Sequence, residues 1–169
     1  MSATQPDFVD QARQHWEESN PEFDVSSIEV MGRITRIGAQ VFQRVERDLA
    51  GAGVSRAEFD VLCTLARNDR PLRASEVTAA TMLSGASTTK NADRLTKMGL
   101  IERLPWERDG RVVLLQLTAA GKALVAREFP RFLARDNELL EGLSEAERAV
   151  LAGLLRAITV RLEPTLPTA

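Results

Sequence analysis

The sequence has one cysteine, one histidine and no tyrosine in 169 residues. A single thiol excludes an intramolecular disulfide framework and a Cys-rich zinc module. The single imidazole, His15, has no second His or Cys near it in sequence, which argues against a metal site. No apolar run approaches the roughly 20 residues that span a bilayer, so no membrane partner is expected. Asp7, Asp10, Glu17 and Glu18 make the front of the chain too acidic and too polar for a secretion signal, and a cytoplasmic protein is the expectation. An enzyme is poorly supported. The sole His and the sole Cys are separated by a long helical stretch, no Gly-rich phosphate loop is present, and nothing calls for a cofactor.

What is present fits a globular chain: 44% hydrophobic and 27% charged residues, with enough length to bury a core without staples. The formal net charge of -2 suggests no nucleic-acid partner on its own. Its distribution suggests otherwise. Residues 1–30 carry a net -6, residues 31–66 carry +1, residues 67–111 carry +3 and residues 112–169 carry 0. A basic middle behind an acidic front is an asymmetry that often marks an interaction surface, although +3 alone also fits ordinary solvated surface.

Periodicity predicts mostly helix. A short helix over about 6–19 has Phe8, Ala12 and Trp16 on one side and ends at Asn20-Pro21. Ile28, Met31, Ile34, Ile37, Val41, Phe42, Val45 and Leu49 repeat at three and four residues, predicting a long amphipathic helix from about Ser26 to Ala50. Ser55 and Glu58 form a capping box ahead of Phe59, Leu62, Cys63 and Ala66, and Asn68-Asp69-Arg70-Pro71 ends that helix. Two shorter helices follow, Ala74–Met82 and Ala86–Met98, with a break near Ser84-Gly85 and a stop at Gly99. Leu100–Leu104 and Arg111–Leu117 read as strands, joined into a hairpin by Trp106-Glu107-Arg108-Asp109-Gly110. Thr118 can cap a helix over about 119–141, where Pro130 predicts a kink. Ser144 and Glu147 form another capping box, ahead of a last apolar stripe ended by Pro164.

Three helices followed by a two-stranded hairpin make a winged helix-turn-helix. The second short helix is unusually polar, with Ser87, Thr88, Thr89, Lys90, Asn91 and Arg94, while Ala92 and Leu95 can face inward. Amides and arginines suit base edges in a major groove; hydroxyls and lysines suit phosphates. Arg108 and Arg111 flank the hairpin tip, where arginine is attracted into a narrow minor groove. Asp109 is expected to orient an arginine rather than touch DNA. The alternative for the tip is a type I′ turn with solvated charges.

These residues resemble the MarR family of bacterial transcription regulators. The segments that carry the resemblance are Ser55-Arg56-Ala57-Glu58-Phe59-Asp60-Val61-Leu62, Asp93-Arg94-Leu95-Thr96-Lys97-Met98-Gly99-Leu100-Ile101-Glu102-Arg103, Asp109-Gly110-Arg111, Leu117-Thr118-Ala119-Ala120-Gly121 and Leu143-Ser144-Glu145-Ala146-Glu147, in family order. The family wing reads Asp-Arg-Arg, whereas Gly110 stands in the middle here, and Arg108 is the candidate substitute. The resemblance implies a mostly α fold with a small β-hairpin wing. Residues 1–50 would form an N-terminal extension and dimerisation helices, 51–117 the DNA-binding domain, and 118–169 C-terminal dimerisation helices. It also implies a homodimer on a pseudo-palindromic double-stranded operator, most often as a repressor.

The extra N-terminal helix resembles the branch that includes urate-responsive and PecS-like regulators. In that branch a Trp, an Asp and Arg residues line a small-molecule pocket. Trp16, Asp60 and Arg103 match those positions, and a second Arg position falls at Asn91. An Arg beside an Asp and an indole suits an anionic or aromatic effector. The competing reading makes Trp16 a helix anchor and Asp60–Arg103 a structural ion pair. Two further alternatives stand: an adaptor that kept the fold without DNA, supported by Gly110, and a redox-sensing role for Cys63, against a buried thiol acting as a small hydrophobe.

Overall fold

The structure is a computed structural model that describes residues 5–106 and 109–163, with backbone alone at 109–111. Within these, seven α-helices and three short strands follow one another: α1 (Phe8–Ser19), α2 (Ile28–Leu49), α3 (Arg56–Ala66), β1 (Leu72–Arg73), α4 (Ala74–Thr81), α5 (Gly85–Lys97), β2 (Ile101–Trp106), β3 (Asp109–Leu117), α6 (Ala119–Leu139) and α7 (Glu145–Leu162). The chain divides into two compact units, Met1–Val125 and Ala126–Ala169. Among the described residues no helix is long and apolar enough to cross a membrane.

Local chemistry fixes most helix ends where the sequence indicates them. The Ser55 hydroxyl accepts from the Glu58 N–H, and the Glu58 carboxylate accepts from the Ser55 N–H (2.8 Å). The same reciprocal box starts α7 at Ser144 and Glu147. Each box satisfies two donors that the first helical turn would otherwise leave bare. Gly53 (φ +73°) and Gly99 (φ +71°) adopt the left-handed conformation that a Cβ disfavours.

The first unit holds the core. Phe59, Val61, Leu62 and Leu65 of α3 are buried with Leu72, Val77, Ala92, Leu95, Ile101, Leu115 and Leu117. A three-stranded antiparallel sheet has the order β1-β3-β2. β1 corrects the expectation of a two-stranded hairpin, since Leu72 pairs with Leu115 and Arg73 with Leu114. Two residues are too few to show a period of two, and only the pairing with β3 makes them a strand. Both wing strands reach further than the sequence suggests, to Trp106 and Asp109, and residues 107–108 of the expected turn lie outside the described residues. Pairing jumps from Pro105–Val113 to Trp106–Asp109, leaving residues 110–112 bulged from the ladder. Pro105 has no N–H to give the ladder, which suits this position on an edge strand beside a bulge.

Arg33 and Arg36 of α2 both hold α1, the second with its guanidinium 4.1 Å from the Phe8 ring centroid. Arg33 donates through Nε to Asp7 (2.9 Å) and through Nη2 to Asp10 (2.7 Å), the two residues that also cap α1. Val9 is buried, and a Cβ on Gly32 would stand 3.0 Å from its Cγ1. Hydrogen bonds from backbone N–H groups, then from Arg33, hold both carboxyls below the ordinary Asp value. Their contribution is therefore full above the ordinary carboxylate range and is lost as pH falls through the depressed values. Arg33→Ala at neutral pH should reproduce the acid-induced change in Trp16 emission, read in a Trp106→Phe background. An emission that neither change moves would contradict this anchor.

Much apolar surface stays uncovered on a single chain. Of the α2 stripe only Val45 and Leu49 are buried, while Val30, Met31, Ile37 and Phe42 are exposed. In the second unit, considered alone, Phe129, Leu133, Val150, Leu151, Leu154 and Leu155 are exposed. α6 continues as helix through Pro130.

Candidate nucleic-acid interface

α4 and α5 meet at Met82, whose φ of 55° is left-handed and whose side chain is 92% exposed. The break thus begins at Met82, two residues before Ser84. Ser84 then caps α5, its hydroxyl accepting from the Ser87 N–H (3.1 Å). Thr88, Ala92 and Leu95, at i, i+4 and i+7, are the buried face of α5. The opposite face leaves Thr89, Lys90, Asp93, Arg94 and Lys97 exposed, with Ser87 and Asn91 at its margins.

Thr88 belongs to the core and not to the presented face, which corrects its expected role. It is 0% exposed, and its hydroxyl shares a hydrogen bond with the Thr78 hydroxyl at 2.8 Å. A buried hydroxyl must find a partner, and Thr78 on α4 supplies it. Thr88→Val leaves the Thr78 hydroxyl bonded to the Ala74 carbonyl (2.9 Å). It should shift stability by about 1 kcal/mol and leave DNA sequence preference unaltered, as a binding-site selection would read.

Arg94 is half exposed but not free. Its guanidinium bonds the Glu58 carboxylate and donates to the Gly53 carbonyl (3.2 Å). Burial pushes the Glu58 carboxyl up, but the Ser55 N–H, Arg94 and the Ser55 hydroxyl outweigh it and hold the pKa below the ordinary value. Asp93, the next residue, accepts from Arg103 of β2 (2.6 Å). Arg70 pairs with Glu76. Lys90 and Lys97 have no ion-pair partner among the described residues and supply the uncompensated charge of α5. The backbone of Asp109 and Arg111 lies in β3, and Arg108 lies outside the described residues.

Arg73 is a residue that sequence reading passed over. Its guanidinium lies over the Trp106 ring, 4.2 Å from the centroid, and joins the start of α4 to the root of the wing. The β1–β3 and β3–β2 pairings together make that contact, and a lone Arg before a helix gives no signal of it.

Trp16, Asp60 and Arg103 each have other partners. Trp16 is exposed and tilted against Phe23, with centroids 6.3 Å apart. Asp60 pairs with Arg56 (3.2 Å), one helical turn away, so the Asp60–Arg103 ion pair is not formed. Arg56 also lies over the Phe42 ring (3.7 Å) and donates its N–H to Glu46 (3.2 Å). Burial, with Glu46 adding to it and Arg56 opposing, pushes the Asp60 carboxyl up. Burial and the neighbouring Asp60 push the Cys63 thiol up to about 12. A thiol that weakly acidic forms little thiolate at neutral pH, which disfavours redox sensing.

Comparison with known proteins agrees with this geometry. A family model described as MarR family matches residues 52–112. The HTH-type transcriptional regulator PecS of Dickeya dadantii (strain 3937) is 30% identical over 151 residues, covering 88% of this chain and 91% of PecS. A solved structure of Bordetella bronchiseptica BpsR, described by the regulation of its DNA binding by 6-hydroxynicotinic acid, superposes with a TM-score of 0.70 at 27% identity. That match covers 81% of this chain and 96% of BpsR. S. aureus MepR, solved in a DNA complex, gives a TM-score of 0.72 at 21% identity over 83% of this chain and 99% of MepR, a likeness of fold. Fold and relatives together define a winged helix-turn-helix transcriptional regulator, a DNA-binding protein and not an enzyme. The chain belongs to the MarR family.

Proposed function

We propose that the protein is a sequence-specific repressor that binds a pseudo-palindromic operator as a homodimer in the cytoplasm and is released by a small anionic or aromatic effector. The observation that carries the DNA reading is the polar outer face of α5. Thr89 and Lys90 are exposed away from the buried Thr88, Ala92 and Leu95, with Asn91 half-buried at the margin of that face, beside a hairpin wing. Ser87, Thr89 and Lys90 suit phosphate, and Asn91 suits an adenine edge. Arg108 and Arg111 take the minor groove, oriented by Asp109.

The apolar residues left exposed on α2, α6 and α7 support an isologous dimer. Such a dimer presents two copies of α5 about 34–36 Å apart, one turn of DNA. The residue ranges 1–50, 51–117 and 118–169 divide the chain into extension and dimer helices, DNA-binding domain and C-terminal dimer helices.

The effector reading rests on Trp16, Asp60 and Arg103. A half-buried carboxyl with a raised pKa suits a site that takes a polar ligand. PecS and BpsR add support as relatives, BpsR through its described response to 6-hydroxynicotinic acid. The effector acts by favouring the dimer state whose α5 spacing misfits DNA.

A gel shift with the intergenic duplex beside the gene tests DNA binding, and a thermal-shift screen of small carboxylates, purines and phenolics tests the effector. Arg111→Ala should flatten the salt slope of binding by about one unit, and an unchanged slope means the wing does not touch phosphate. Asp60→Asn or Arg103→Ala should keep DNA binding while weakening release by an effector the screen finds. Equal sensitivity in wild type and variants would sink the pocket.

A further inference from the structure

We propose that Arg94 is a positioning residue: it ties the DNA-reading helix to the buried carboxylate of Glu58 and so sets how α5 faces the groove. The inference rests on the DNA-binding reading above. It replaces the direct DNA contact that the sequence suggests for Arg94.

Three bonds meet at this point. Glu58 is only 2% exposed, and its carboxylate already accepts from the Ser55 N–H (2.8 Å), so the α3 cap holds it in place. Arg94 Nη1 bonds that same carboxylate from 36 residues further along the chain. Arg94 Nη2 reaches the Gly53 carbonyl (3.2 Å), which the left-handed turn at Gly53 presents. The planar guanidinium thus spans two acceptors that belong to one rigid corner. A lysine ammonium lacks that fork.

The neighbouring bridge, Asp93 to Arg103, holds the same helix from the wing side. Its two partners are 49% and 40% exposed, against 3% for the Glu58 side chain. An exposed pair is screened and contributes little, whereas a charge bonded to a buried carboxylate is costly to remove. The Glu58 side of α5 is therefore the one that fixes its roll. Bound to two acceptors, the Arg94 guanidinium has little charge to offer phosphate. Lys90, about one turn away on α5, carries the phosphate contact.

The test measures affinity across a potassium chloride series for wild type, Arg94→Ala, Arg94→Lys, Glu58→Gln and the double variant Arg94→Ala/Glu58→Gln. The probe is a duplex that wild type selects from a random library. Glu58→Gln keeps the helix cap, because the Gln carbonyl still accepts from the Ser55 N–H. Thermal melts identify any variant that fails to fold, and Arg94→Lys stands in for Arg94→Ala in that case. The expected result is a loss of about tenfold in both Arg94→Ala and Glu58→Gln, with an unchanged salt slope. The double variant is no weaker than Arg94→Ala, and Arg94→Lys recovers part of the affinity. A slope lower by about one in Arg94→Ala, with Glu58→Gln binding like wild type, overturns the proposal in favour of direct phosphate contact.

Hydrogen exchange of the α5 amides in the free protein reads the tie without DNA. Faster exchange in both Arg94→Ala and Glu58→Gln supports it, and unchanged exchange overturns it. If wild type selects no duplex, the DNA reading fails while the exchange data still judge the tie.

Discussion

Gly121→Ala is expected to cost about 3 kcal/mol of stability, by overpacking against backbone that cannot move aside. A Cβ at this position would stand 2.0 Å from the Leu100 carbonyl oxygen, 3.0 Å from its carbon and 3.1 Å from Leu117 Cδ2. The approach is close because three bonds draw the start of α6 onto the link between α5 and β2. The Thr118 hydroxyl donates to the Gly99 carbonyl (2.7 Å) and accepts from the Gly121 N–H (3.1 Å), and the Thr118 N–H donates to the Leu100 carbonyl (3.1 Å). A flexible side chain could yield to an added methyl; a carbonyl fixed by its own hydrogen bond yields only by shifting the chain. For a protein of this size the loss corresponds to a melting temperature lower by roughly 6–12 °C. A circular-dichroism melt of Gly121→Ala beside wild type reads it, and an unchanged midpoint would mean that α6 does not start against Leu100.

The second large effect is expected at Asn91. If its amide reads an adenine edge, Asn91→Ala should cost about 1–3 kcal/mol on the preferred duplex and relax selection at one base pair of each half-site. The salt slope should not change, because no phosphate contact is lost. Lys90→Ala should do the reverse, weakening all duplexes alike and lowering the slope by about one. The contrast separates base reading from phosphate binding on one helix. Equal selectivity in Asn91→Ala and wild type would place the base contact elsewhere, with Thr89 the next exposed polar side chain on that face.

Much of the fold was legible because its signals are local. The Ser55–Glu58 and Ser144–Glu147 boxes and the Gly99 stop are each decided within a few residues, and the structure has them where the sequence puts them. The elements that escaped depend on distant partners. Leu72-Arg73 is a strand only because β3 lies beside it. Thr88 looks like a groove residue until Thr78, ten residues earlier, takes its hydroxyl into the core. Arg94 and Glu58 lie 36 residues apart, so neither spacing nor composition points from one to the other.

The pocket residues show the same limit from the other side. Asp60 and Arg103 form a plausible ion pair on paper, yet each has a nearer partner. Arg56 is one turn from Asp60, and Asp93 is ten residues before Arg103. Charge complementarity gives candidates for a pair, and proximity in the fold chooses between them. The charge pattern follows that rule as well. Within residues 67–111 Arg70–Glu76 and Arg103–Asp93 cancel, Arg94 is matched by Glu58 from outside the segment, and Lys90 and Lys97 are what α5 leaves uncompensated.

Selection of duplexes from a random library by the purified full-length protein tests the central claim most directly. Reading DNA as a symmetric dimer predicts an enriched inverted repeat, with half-site centres about 10 base pairs or a multiple apart and two chains bound per duplex. A library that emerges without enrichment, or a single asymmetric site holding one chain, would contradict it.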